Sequence, residues 1–129
     1  MNLTTEELAL APDYCGVRSG RDTDKWKDCG LTREKASKVS VPLIKECPVN
    51  LECRVVRVDE LGSHHMFLAE IVAVDVDDAY MDAKDTFHLS RAKLLTYSHG
   101  RYYGLGECLG SFGYSVKKPV SGKKKTVRR

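Results

Sequence analysis

Two apolar runs separated by a short turn set the strongest limit on how this chain folds. Val49, Leu51, Cys53 and Val55 alternate with Asn50, Glu52 and Arg54, and after Asp59-Glu60-Leu61-Gly62-Ser63 a second run extends from Met66 to Val76. A period of two places alternate side chains on opposite faces of a strand, so the runs predict an antiparallel hairpin with Val49, Leu51, Cys53 and Val55 on its buried face. The phase changes at Val55-Val56, because Val58 then faces with Val56, and a bulge or a strand covered on both sides accounts for it. The return run is apolar on both faces for most of its length. One side should then meet a core, and the other either the N-terminal helices or a second subunit.

Upstream, Thr4 to Glu7 reads as a capping box that opens a helix through Leu8 to Ala11. Pro12 either kinks that helix or restarts it at its own first turn. Ser19-Gly20-Arg21-Asp22-Thr23-Asp24-Lys25-Trp26 is a loop leading to a short helix that ends near Cys29-Gly30. Leu31 to Ser40 reads as a connecting loop, Pro42 and Pro48 bracket a short apolar piece at Leu43-Ile44, and Phe112 to Val116 looks like a last strand. The acidic spacing from Asp75 to Asp85 lacks the glycine and glutamate of a calcium loop, so it is read as a solvated turn, and no metal site is expected. At 129 residues this is one mainly β domain with short N-terminal helices.

Charge and cysteine usage narrow the function classes. Net charge is +3, but seven of the 21 basic residues follow Val116, and the other 14 face 18 acidic residues. The basic character is therefore a tail, expected to be disordered over 119–129, and nucleic-acid binding is disfavoured. Five cysteines without a Cys-x-x-Cys pair suit neither a disulfide framework nor a zinc ribbon. No apolar run reaches membrane-spanning length, and the first residues lack a secretory pattern, so a soluble cytoplasmic protein is expected.

Three groups of residues are candidates for chemistry. Ser19, Arg21 and Lys25 surround the predicted start of a short helix, where free N–H groups and the dipole favour an anion; a capped surface helix with solvated charges is the alternative. His64 stands in a turn, where a lone histidine is usually solvated. Thr96 to Ser115 holds half of the ten glycines and four of the six tyrosines together with His99, a composition that suits either a wall for a flat ligand or glycine turns between strands. Gly104-Leu105-Gly106-Glu107-Cys108-Leu109-Gly110 has its third glycine one place late and no helix after it, which excludes a dinucleotide fingerprint.

Several segments together resemble the flavin reductase-like family, the FMN-binding split barrels. They are Asn2-Leu3-x-Thr5-Glu6-Glu7-Leu8, Asp13-Tyr14-Cys15-Gly16, the Ser19 to Trp26 stretch, Pro42 to Cys53, a Gly-x-His motif matched by His64, and Ser98-His99-Gly100-Arg101-Tyr102-Tyr103. The resemblance runs from about Asn2 to Lys118 and implies an antiparallel split β-barrel over 1–118. It also implies FMN as cofactor, NADH or NADPH as electron donor, a homodimer and an acceptor that can be a redox partner protein. By the same resemblance His64 and His99 stand at the flavin ring as catalytic candidates, Tyr102 contacts the ring, and Ser19, Arg21 and Lys25 approach the phosphate. Family domains begin with several strands that precede the point matched by Met1, so the barrel is expected to be incomplete. The chain is then either a clipped flavoprotein or a shortened form that pairs with another chain, and a non-catalytic remnant or interaction module of the same fold is the alternative function.

Overall fold

The computed structural model of the chain describes residues 1–117; the basic tail expected at 119–129 lies outside them. In order along the chain are β1 (Asn2–Leu3), a 3-10 turn (Glu6–Leu8), α1 (Leu10–Val17), α2 (Lys25–Asp28), β2 (Arg33–Glu34), β3 (Leu43–Ile44), β4 (Val49–Glu60) and β5 (His65–Val76). Two further 3-10 turns, Asp78–Tyr80 and Leu89–Ala92, lead to β6 (Leu95–Ser98) and β7 (Arg101–Gly104). All strand pairs are antiparallel, in three sheets: β1-β4-β5, β2-β3 and β6-β7. They do not close into a barrel.

The β4–β5 hairpin dominates and carries two bulges. Cys53 pairs with Ile71 after Glu52 has paired with Ala73, which leaves Val72 as an extra residue, and the step from Val55 to Arg57 leaves Val56 as another. The change of phase read at Val55-Val56 is this second bulge, which turns the strand and restores the facing. With both bulges counted, Leu51, Cys53, Val55 and Val58 share a face with Phe67, Ala69, Ile71 and Val74. The other face carries Asn50, Glu52, Arg54 and Arg57 opposite Asp75, Ala73, Glu70 and Leu68.

Burial does not follow the apolar pattern. Asn50 and Glu52 are 5% and 1% exposed, whereas Phe67 on the apolar face is 64% exposed. The reading of Val49, Leu51, Cys53 and Val55 as the buried face is corrected in this respect: only Val49 is buried, and Leu51 and Cys53 are half-covered. The loop from Ala36 to Val39 folds over the polar side instead. Glu52 holds it there, its Oε1 accepting from Ser37 N at 2.6 Å and Ser37 Oγ at 2.8 Å, its Oε2 from Lys38 N at 2.6 Å and Val39 N at 2.9 Å. Four donors satisfy the charge that burial would otherwise make costly.

The small core lies at the base of the hairpin, where Ala11 of α1, Ala36, Leu43 of β3, Cys47 and Val49 are buried. Burial, with the charge of Glu46 beside it, pushes the Cys47 thiol up to about 11, the behaviour of an inert core thiol. Three local expectations change. Thr5, not Thr4, precedes the first turn and makes no side-chain cap, because its backbone is engaged in a bridge with Leu94. Residues 31–40 contain β2, which pairs with β3. Residues 114–116 form a 3-10 turn rather than a strand, after a left-handed Gly113 at φ 75° that breaks extended backbone.

Candidate functional site

The 19–25 loop is ordered by its own oxygens. Asp22 N and Thr23 Oγ1 donate to the Ser19 carbonyl at 3.2 and 2.9 Å, and Arg21 N donates to Ser19 Oγ at 3.2 Å. The Ser19 hydroxyl proton is left to donate outward. The Arg21 guanidinium is exposed, and among the described residues no hydrogen bond or ion pair engages it. Lys25 Nζ donates to the Cys15 carbonyl at 2.6 Å, a cation on the C-terminal end of α1, which ties α2 to α1.

The start of α2 is not vacant. Asp24 Oδ1 accepts from Trp26 N at 3.2 Å and Lys27 N at 3.3 Å, so a carboxylate already caps it. Anion attraction here therefore rests on side chains. An open groove of about 400 Å³ is lined by Gly20, Thr23, Asp24, Lys25, Trp26 and Arg33, with the Arg33 guanidinium 4.5 Å from the Trp26 ring centroid. Arg33 was not a candidate from sequence. It enters because β2 pairs with β3 and brings it over Trp26, a long-range placement with no local signal.

The second group lies on β6–β7. Its turn residues His99 and Gly100 are both left-handed, at φ 50° and 78°, the conformation that two-residue hairpin turns require. Non-glycine residues are uncommon in that region, where glycine sits at less cost, and histidine is among the few types enriched there. Tyr97 and Tyr102 are direct cross-strand partners, with ring centroids 5.0 Å apart and planes tilted by 59°. Burial and the neighbouring Asp13 carboxylate of α1 raise the Tyr102 hydroxyl above its ordinary range, so it stays a proton donor.

The hairpin is fastened to the N-terminal segment by Glu6 N donating to Lys93 O at 2.9 Å and Leu95 N donating to Thr4 O at 3.0 Å. The hairpin carrying His99 and Tyr102 is thus tied to the segment leading into α1, and Lys25 is tied to the end of α1 at the Cys15 carbonyl.

His64 sits elsewhere, at the tip of the β4–β5 hairpin after a left-handed Gly62. Ser63 Oγ and His64 Nδ1 are 2.7 Å apart, and Leu61 N donates to the His64 carbonyl at 2.8 Å. Among the described residues no hydrogen bond, ion pair or ring contact joins it to Tyr102 or His99. His88, which had no role in the sequence reading, contacts Asp82 Oδ2 at 2.8 Å, and that imidazole with the Lys84 and Thr86 N–H groups holds the Asp82 carboxyl well below the usual range. This is a loop-ordering role.

Residues 2–106 match the family described as "Flavin reductase like domain". An uncharacterised protein of Archaeoglobus fulgidus is 46% identical over 80 residues, which are 62% of this chain and 45% of the relative. One of Pyrococcus abyssi is 31% identical over 107 residues, 78% of this chain and 62% of the relative. Among solved structures, the flavoredoxin of Desulfovibrio vulgaris (Miyazaki F) superposes with a TM-score of 0.79 at 24% identity, over 90% of this chain and 63% of that one. The flavoredoxin of Methanosarcina acetivorans gives 0.73 at 29% identity, also over 90% and 63%. The chain therefore spans less than two thirds of these relatives, and its fold is the split-barrel fold of its neighbours with the barrel left open. With four fifths of its length matched, the chain belongs to the flavin reductase-like domain family.

Proposed function

We propose that this chain binds FMN and serves flavin-dependent electron transfer. In this reading the phosphate lies against Ser19, Arg21 and Lys25, and the ring against Tyr102 and His99. The observation that carries it is that the β6–β7 hairpin is fastened to the segment leading into α1 and Lys25 to the end of α1, in a chain of the flavin reductase-like family. Bound FMN would supply the two-electron chemistry, accepting hydride from NADH or NADPH and passing electrons to an acceptor such as a redox partner protein.

The residues present fit such a group. The Ser19 hydroxyl, the Arg21 guanidinium and the two ammonium protons that Lys25 has left over are donors for a dianion, and Arg33 adds positive potential from across the groove. An imidazole at position 99 can donate toward a ring that gains negative charge, and the Tyr102 ring can lie against it. The place of His64 at the ring rests on the family resemblance, since among the described residues no hydrogen bond, ion pair or ring contact joins it to Tyr102 or His99.

The exposed face built on Val55, Val58, Phe67 and Ile71 supports a homodimer, since an apolar strip of this extent is costly in water. It also favours the second reading, an interaction module without catalysis. Adding FMN to the purified chain while following flavin fluorescence and thermal stability separates them. Saturable quenching with a rising Tm supports the flavoprotein; a chain that associates but shows neither response to FMN is the interaction module.

A further inference from the structure

A cavity of about 310 Å³ lies where the open end of the β4–β5 hairpin meets β2 and the 3-10 turn Asp78–Tyr80, and Glu34, Lys45, Asn50, Asp75, Asp77 and Asp78 are among its walls. It shares no lining residue with the groove at Trp26. Asn50 and Asp75 are direct cross-strand partners, so their side chains leave one face of the hairpin side by side. Asn50 is 5% exposed, and its Nδ2 donates to the Cys47 carbonyl at 3.0 Å, which leaves Oδ1 turned away from that carbonyl. Among the described residues neither that Oδ1 nor the buried Oδ2 of Asp75 accepts a hydrogen bond. Two adjacent buried acceptors without a donor are costly, and they call for one from outside the chain.

The charge of the walls decides the kind of donor. Four carboxylates, those of Glu34, Asp75, Asp77 and Asp78, are set against one ammonium, that of Lys45. Lys45 is exposed, and among the described residues it forms no ion pair with any of them. Glu52, on the same face, is already satisfied by its four donors, so it adds repulsion at Asp75 without needing a ligand of its own. Among the described residues no three acidic, histidine or cysteine side chains converge as metal ligands, so the walls suit an organic cation rich in N–H. A single water would satisfy the two acceptors but bring no positive charge, and the cavity is roughly ten times the volume of one. We propose that this cavity binds a linear diamine, one ammonium donating to Asn50 Oδ1 and Asp75 Oδ2 and the other lying among the Glu34, Asp77 and Asp78 carboxylates at the mouth. The site is independent of the residues assigned to FMN.

The test is calorimetric titration of the full chain with 1,4-diaminobutane at pH 7 and low ionic strength, beside n-butylamine and magnesium chloride. The diamine is expected to saturate at one per chain. Butylamine should bind more weakly by on the order of tenfold, because it leaves the mouth carboxylates unpaired, and magnesium should give no saturable response. Asp75→Asn should weaken the diamine by on the order of tenfold. Asp78→Asn, at the exposed mouth, should bring the diamine down toward butylamine, and it decides the matter even where Asp75→Asn fails to fold. Glu107→Gln, an exposed acid outside the cavity, should leave binding unchanged. No saturable binding of the diamine would overturn the proposal, since the two acceptors then bond only water. Equal affinity in the unaltered, Asp75→Asn and Asp78→Asn chains, or equal affinity for diamine, butylamine and magnesium, would overturn it as well, since the attraction is then that of an acidic surface.

Discussion

The carboxyl of Asp75 stands beside the buried carboxylate of Glu52 on one face of the β4–β5 hairpin, and the two share their surroundings unequally. Burial pushes Glu52 upward, but the Ser37, Lys38 and Val39 donors outweigh it and hold the group at about 2. Asp75 moves the other way: burial and the Glu52 charge beside it raise it, with Glu34 adding repulsion. Among the described residues its buried Oδ2 has no hydrogen-bond partner, and neither has Oδ1 of Asn50, the residue opposite it in the ladder. Fixed N–H groups thus let one of two adjacent acids keep its charge at the other's expense.

Replacing Glu52 by glutamine leaves at least one of the loop's donors unmatched, because an amide supplies a single acceptor oxygen. Glu52→Gln is expected to lower Tm by on the order of 10 °C at pH 7 and to raise protease sensitivity near Ser37. The sign with pH follows from the folded value of about 2 lying below the ordinary 4.5. The stabilisation is complete above 4.5 and is lost as pH falls toward 2, so acid melting between those values should flatten in the variant. The Asp82 contribution, also lowered, persists in both chains.

Asp75→Asn should act in the opposite direction. Its folded pKa is raised above 3.8, so the acid form is favoured in the native state and the charged form is a burden at neutral pH. The variant is expected to gain roughly 5 °C in Tm at pH 7. The unaltered chain should instead gain stability from this group as pH falls through its raised pKa toward 3.8, and Asp75→Asn should lack that gain. A lowered Tm at pH 7 would contradict the charge relationship.

If the phosphate reading holds, Arg21→Gln weakens FMN binding by on the order of tenfold while leaving Tm unchanged, because among the described residues no hydrogen bond or ion pair engages the exposed guanidinium. Lys25→Met should weaken FMN and also lower Tm, since it removes the bond to the Cys15 carbonyl. Fluorescence titration beside thermal melting distinguishes the two. Equal affinity in both variants would remove these residues from the site.

His99→Gly relieves the left-handed strain and is expected to stabilise the β6–β7 hairpin by about 1 kcal/mol. If the imidazole serves the flavin, the same substitution lowers the rate of flavin reduction by NADH or NADPH while stability rises. A stabilised chain with unchanged reduction would show that the histidine is only a turn residue.

The sequence by itself determined the strands of the large hairpin, the change of phase at Val55-Val56 and the turn between the strands, because each depends on neighbours a few residues apart. It also placed Ser19, Arg21 and Lys25 in one loop beside a short helix. Only the tertiary structure decided which hairpin face is covered. Alternation marks two faces but cannot say that the Ser37–Val39 backbone will bring its N–H groups to Glu52 and leave Phe67 in water. The meetings of Arg33 with Trp26 and of Tyr14 with Asp28 were equally invisible. Each joins separate elements, and the chain's path between elements is fixed by packing of the whole, which no local period encodes.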